Sequence, residues 1–168
     1  MNHPKIRIVV KNFGTMTAEL YPEMAPLTVS NFLNLAREKF FDGLIFHRVI
    51  SGFMLQGGGY TEEMAEKRAK PIRGEFAANG FTANTLSHTR GVLSMARTND
   101  PNSASSQFFV MHKAAPYLDR QYAGFGKVIE GDEIIDKIAN VETGNYGYYM
   151  QDVPMEAVVI ETIEVVEE

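Results

Sequence analysis

The sequence predicts a mainly β protein, a closed antiparallel barrel of short strands with two helices set far apart along the chain. Three observations carry this. Short stretches rich in β-branched and aromatic residues recur between Gly, Asn, Asp and Pro turns along the whole chain. Only two segments repeat apolar residues at helical spacing, so helices do not alternate with strands as a parallel α/β sheet requires. Closing the strands into a barrel also removes the unpaired edges that invite aggregation. At 168 residues the chain fits one domain, residues 1–168, able to bury most of its apolar surface without staples.

The first strands lie at residues 5–10 and 15–21, joined by a tight turn over Asn12, Phe13 and Gly14. Pro22 and Pro26 end the second strand, because proline removes a ladder donor. A helix is expected over 28–39, where Val29, Phe32, Leu33 and Ala36 share a face that Phe40 extends; Asp42 and Gly43 supply the stop. Residues 46–50 and 53–56 are strands parted by Ser51 and Gly52. Residues 60–73 carry Glu62, Glu63, Glu66, Lys67, Arg68 and Lys70, and read as a solvated loop; the functional alternative is a mobile flap that selects substrates. Residues 74–89 are turn-rich and wrap the barrel surface.

Strands return at 92–96 and 107–111 around a polar loop, and again at 123–128. Ile134, Ile135 and Ile138 place the second helix over 132–139, after Gly131. Residues 144–152 hold Tyr146, Tyr148, Tyr149 and Met150 and read as a loop whose tyrosines pack on the barrel, a contact patch being the alternative. Residues 157–166 alternate as the last strand.

Composition excludes several classes. The net charge of −5 argues against a nucleic-acid surface, whose footprint is basic. Without cysteine there are no disulfides and no thiolate metal sites. No apolar run approaches the roughly 18 residues of a membrane span. The N-terminus moves straight into a strand pattern without a signal-peptide apolar core, so the expected location is cytoplasmic. His3, His47, His88 and His112 lack metal-ligand spacing. Gly57, Gly58 and Gly59 are not followed by the Gly-Lys-Ser/Thr of a phosphate loop. Ser94, Ser103, Ser105 and Ser106 have no base partner visible in the sequence.

The most informative stretch is residues 46–59, FHRVISGFMLQGGG. Strand alternation points Phe46, Arg48 and Ile50 to one side and His47 and Val49 to the other. It places a guanidinium beside Phe53, Met54 and Gln56, which is costly in a core unless something pairs with the charge. That suggests a site. His47, on the opposite side, reads as the donor or acceptor of a structural hydrogen bond.

This run, with Gly91-Val92-Leu93-Ser94-Met95-Ala96-Arg97, Ser106-Gln107-Phe108-Phe109-Val110, Tyr117-Leu118-Asp119 and Phe125-Gly126-Lys127-Val128, resembles the cyclophilins, the peptidyl-prolyl cis-trans isomerases, in order and spacing over almost the whole chain. The resemblance implies a closed eight-stranded antiparallel barrel with a helix over each end. It also implies an enzyme that rotates X-Pro bonds in proline-containing peptides and in unfolded or flexible protein chains, assisting their folding. Such rotation faces a barrier of ~18–20 kcal/mol but makes and breaks no bond, so no nucleophile, metal or cofactor is expected. A proline-peptide binding or chaperone-like module with incidental isomerase activity is the competing reading.

By the same resemblance Arg48 is the catalytic residue, donating to the proline nitrogen as its lone pair localises in the twisted state. Phe53, Met54, Phe109 and Leu118 match the walls of the proline pocket, whose bland reading is barrel core. Gln56 and Gln107 match glutamines that bind the substrate backbone or orient the arginine. Ala96 and Arg97 sit on the strand that pairs with the peptide, where the backbone matters more than the side chain. Tyr117 stands where relatives often have tryptophan and Tyr122 where they have histidine. Because cyclosporin is held partly by that tryptophan, the expectation here is weak binding of the drug. Arg97 replaces a common asparagine in a bacterial-looking variant, and Ser51 a usual proline. A monomer is the default for a closed barrel.

Overall fold

The computed structural model describes residues 3–148 and 150–167. Eight strands make one antiparallel sheet: β1 (Lys5–Val10), β2 (Gly14–Leu20), β3 (Arg48–Ile50), β4 (Met54–Gly57), β5 (Val92–Met95), β6 (Phe108–Met111), β7 (Gly124–Glu130) and β10 (Ile160–Glu167). Their spatial order is β10-β1-β2-β7-β5-β6-β4-β3, and β8 (Thr143–Tyr146) pairs with β9 (Met150–Pro154) as a separate hairpin. Helix α1 (Pro26–Arg37) packs on β10, and α2 (Glu133–Ala139) on β2, β3 and β4.

The sheet is curled but not closed, which corrects the expected closed barrel. No ladder joins its end strands, β10 and β3, among the described residues. Only an isolated bridge, Ile45 to Val159, crosses the seam, with Phe46 N donating to the Val158 carbonyl at 3.0 Å and Ile160 N to Leu44 at 2.7 Å. The cause is length: β3 has three residues, and the hairpin strand β9 lies along it where a continuing β10 would have to pair. That hairpin was expected as a loop. Its tyrosines were expected to pack, yet Tyr146 and Tyr148 are exposed; Tyr149 lies outside the described residues.

Helix α1 starts two residues before the expected Thr28, because Pro26 occupies its first turn, where a missing N–H costs nothing. Ala25 at the N-cap offers no side-chain acceptor. Buried Glu75, far along the chain, caps the helix instead, accepting from Leu27 N (3.1 Å), Thr28 N (2.7 Å) and Thr28 Oγ1 (2.8 Å). The helix stops at Arg37 rather than at Asp42 and Gly43. Lys39 takes φ of 62°, Lys39 N donates to Ala36 and Phe40 N to Leu35, a Schellman ending that turns Phe40 onto the core.

Strand alternation splits the apolar residues into two bodies. Val49, Leu55, Val110 and Leu93 lie directly opposite one another across β3, β4, β6 and β5. They belong to the main core with Phe32, Phe41, Phe108 and Phe125. Their neighbours along the strands, Met54, Val92, Phe109 and Met111, point outward and form a second cluster with Ala115 and Leu118 on the other face. Phe46 does not share a side with Arg48 as alternation predicted: it precedes β3, is buried, and meets Phe108 in the main core. Among the described residues no helix is long and apolar enough to cross a membrane.

Candidate active site

The outward face carries a row of facing residues, Arg48, Gln56, Phe109 and Ser94, one from each of β3, β4, β6 and β5. Opposed residues on neighbouring strands project from the same face, so the sheet register alone brings these four together. Nine of the eleven residues singled out in the sequence line one cavity of about 150 Å³: Arg48, Phe53, Met54, Gln56, Ala96, Arg97, Phe109, Leu118 and Tyr122. The expected alternative for Phe53, Met54, Phe109 and Leu118, barrel core, does not hold, since they belong to the outer cluster. Leu118 is delivered by a 3₁₀ turn, Pro116–Leu118, that opens on a proline.

Arg48 is exposed, not a buried charge, which explains how the sheet tolerates it. Its Nη1 donates to Gln56 Oε1 at 3.4 Å, and Gln56 Nε2 donates to Gln107 Oε1 at 3.0 Å. Two amides in series therefore hold the guanidinium on the cavity wall. Gln107 itself does not reach that cavity. It lines a neighbouring one of about 300 Å³ with Glu66, Thr98, Ser103 and Ser105, the two cavities sharing Gln56, Ala96 and Arg97. Glu66 brings the charged loop to this second space, where Tyr60 bridges Glu66.

Tyr117 lies outside the main cavity, 70% exposed, its ring 6.1 Å from that of Phe53. Tyr122 meets Phe109 edge-on at 5.9 Å. The Arg97 side chain has more to do than was expected. Its guanidinium sits over both Phe76 (4.7 Å) and Tyr122 (4.6 Å) and donates to the Thr98 and Gln121 carbonyls. It thereby ties the end of β5 to the segment that carries Tyr122. Ala96 N already donates to the Gln107 carbonyl.

Two glycines make the geometry possible. A Cβ on Gly57 would come within 2.7 Å of the Ile45 carbonyl, so only glycine lets the chain before β3 cross there. Gly58 has φ of 87°, a conformation that favours glycine.

Behind Phe109 lies a set of groups that the sequence did not reveal. His88 stacks on the Phe109 ring at 6.1 Å, its Nδ1 3.0 Å from Asp119 Oδ1 and its Nε2 2.8 Å from Ser94 Oγ. His88 N also donates to Asp119 Oδ1 at 2.6 Å. An ionised carboxylate only accepts, so Nδ1 carries the proton and Nε2 accepts from the Ser94 hydroxyl. Burial lowers the His88 pKa, partly offset by Asp119. The order Asp-His-Ser matches a nucleophilic triad, but Ser94 is 0% exposed, so no substrate carbonyl reaches it. These bonds fix the wall of the cavity. No spacing rule pairs His88 with a serine six residues on and an acid beyond position 118.

His47 faces away from the cavity, buried, with its ring 4.6 Å from Tyr60. The structural hydrogen bond expected of it is missing at Nδ1, which has no partner among the described residues. Burial, then the charge on Arg48, lowers its pKa to about 4. At the β3–β4 turn, His112 accepts from Gly52 N at 2.8 Å and meets Asp136 at 3.0 Å, while Arg90 holds both oxygens of Asp136 at 3.0 Å. The turn between β3 and β4 is thus anchored to α2.

Comparison with known proteins gives one consistent result. The family described as "Cyclophilin type peptidyl-prolyl cis-trans isomerase/CLD" matches residues 5–165. A peptidyl-prolyl cis-trans isomerase of Acinetobacter baylyi is 46% identical, over 92% of this chain and 81% of its own length. Peptidyl-prolyl cis-trans isomerase B of Escherichia coli is 43% identical, over 93% and 96%. Among solved structures, a cyclophilin type peptidyl-prolyl cis-trans isomerase of Cryptosporidium parvum superposes with a TM-score of 0.80 at 27% identity, covering 99% of each chain. Its structure in the presence of the dipeptide Ala-Pro gives 0.78 at 28%, over 98% of this chain and 99% of that one.

Proposed function

The chain belongs to the cyclophilin-type peptidyl-prolyl cis-trans isomerases, and we propose that it rotates X-Pro bonds of flexible protein chains at the cavity between Arg48 and Phe109. The observation that carries this reading is the Gln107–Gln56–Arg48 series, which holds a guanidinium on the wall of the cavity that Phe109, Met54 and Leu118 also line.

A planar amide nitrogen has spent its lone pair on resonance and accepts poorly. Once the C–N bond twists, the nitrogen becomes pyramidal, and an Arg48 N–H gains an acceptor that the ground state lacked. A bond made only in the twisted state lowers the barrier without tightening the resting complex. Phe109, Met54 and Leu118 hold the proline ring, and methionine adapts to a ring passing between two poses. Substrate covering the cavity displaces water from Arg48 and strengthens that bond. Each ~1.36 kcal/mol removed is tenfold in rate, so ~7 kcal/mol gives about 10⁵. One charged donor supplies about half, leaving positioning and desolvation the rest. No covalent step occurs, so the residues present suffice without a cofactor.

The related Cryptosporidium parvum structure in the presence of the dipeptide Ala-Pro supports proline peptides as the ligand class here. The test is exchange NMR on a short X-Pro peptide with the protein at catalytic concentration. Cis–trans exchange peaks are the expected result. Peptide shifts without exchange would instead identify a proline-binding module.

A further inference from the structure

We propose that the β8–β9 hairpin is a second docking surface for the substrate chain, one that takes a basic stretch with aromatic or aliphatic residues flanking the proline. The proposal rests on the isomerase reading, since it says where the rest of that substrate lies. β9 packs along β3, the strand whose Arg48 lines the proline cavity, so the hairpin lies beside the strand that carries one wall of the cleft. Glu142, Met155 and Glu156 lie around a separate cavity of about 410 Å³ next to Asn12 and Phe13.

The hairpin surface is unlike one meant only for water. Tyr148 is 99% exposed, Tyr146 51%, and Met155, just past β9, 67%. These are three of the seven large apolar side chains exposed among the described residues, and they fall within one ten-residue stretch. Neither tyrosine ring stacks on another ring among the described residues. Residues 142–157 also carry Glu142, Asp152 and Glu156 but no lysine or arginine. Exposed tyrosines on an acidic hairpin that carries no cation complement a guanidinium or ammonium: the cation lies over a ring, the acids along the hairpin add attraction, and the aliphatic stem covers the apolar surface. The occupant is the substrate's own flank because β9 packs on β3, the strand that carries Arg48. A chain held at the proline presents its next residues there at high effective concentration.

Three peptides and two variants test this. The peptides are a short X-Pro tetrapeptide, a longer one extended on both sides of proline with Arg- and Phe-bearing flanks, and the longer one with each Arg replaced by Glu. The wild type should show a KM for the Arg-flanked peptide about five- to tenfold below that for the tetrapeptide, the scale of two exposed aromatic contacts. The Glu-flanked peptide should gain nothing. Tyr146→Ser with Tyr148→Ser should abolish the gain yet turn over the tetrapeptide within about twofold of wild type. Glu142→Gln with Glu156→Gln, which keeps the tyrosines, should reduce the gain and its dependence on salt.

A gain that survives the tyrosine variant, or a tetrapeptide rate that falls equally, overturns the proposal. A Pro→Ala version of the Arg-flanked peptide separates it from the isomerase reading: amide shifts at Gly144, Tyr146 and Gln151 are expected even with nothing to isomerise. Their absence defeats the docking surface, whereas a wild type inert on the tetrapeptide defeats the isomerase reading alone.

Discussion

Replacing Arg48 by alanine removes the donor and leaves the rest of the cavity standing. The lost bond is made to a nitrogen that accepts only when twisted, so the cost should fall on kcat with little change in KM. Deleting one preorganised donor to a developing charge costs about 10²–10³ in rate, or ~3–4 kcal/mol. Arg48 is exposed in the free protein, so the water that substrate must displace from it offsets part of the gain, and the low end of that range, about 10², is the expected loss. The fold should hardly respond. The head makes one 3.4 Å hydrogen bond to Gln56, and exposed substitutions of this kind stay within about 0.5 kcal/mol. A protease-coupled assay gives kcat/KM, and exchange NMR at saturating peptide separates the bound rate from affinity. His47 is an internal control: Arg48 is the second cause of its lowered pKa, so the variant should titrate His47 slightly higher. A variant within threefold of wild type, or a loss confined to KM, would refute this account of the barrier.

Phe109→Ala should weaken peptide binding together with turnover, since Phe109 floors the cavity. It should also cost roughly 3 kcal/mol of stability, because the ring is buried; denaturant melts and peptide titration read both. Gln56→Leu should cut kcat about tenfold at nearly constant KM by releasing the guanidinium, and Gln107→Leu should do the same more weakly, as steady-state kinetics will show. Glu75→Ala should lower stability by about 2–3 kcal/mol by uncapping α1 and orphaning buried donors, while activity at low temperature persists. Stability should also fall with acid. His47 is held neutral down to about 4 but takes a proton near 6.5 when unfolded. The unfolded state therefore binds more protons between those values, and up to roughly 3 kcal/mol is lost as pH falls from 6.5 to 4. Asp136, held low chiefly by Arg90, contributes stability above the usual carboxylate range that is lost at still lower pH. Urea melts of wild type, His47→Phe and Asp136→Asn across pH 3–8 separate the two effects.

Much of this was legible because period-two alternation is a local property. Alternation set Arg48 apart from His47 and Val49, but Met54 and Phe109 were placed at the site by the resemblance alone, since their own pattern reads as barrel core. The pattern failed at Phe46, because alternation was extended through residues that precede the strand and only bridge the seam. It failed again at 144–152, where glycines and tyrosines read as a loop but pair as a hairpin. Long-range partnerships left no trace in spacing: Glu75 capping a helix nearly fifty positions earlier, or Asp119 reaching back to His88 and thence Ser94. Arg97 was read for its main chain, and its stacking between Phe76 and Tyr122 depends on two rings remote in sequence.

The proline cavity sits on the convex side of the curled sheet, not inside it. Nothing must thread through the protein or present a free terminus to reach it. If prolines bind there as proposed, a polypeptide can be laid across the wall at an internal proline and lifted off again with both ends still attached to whatever they belong to.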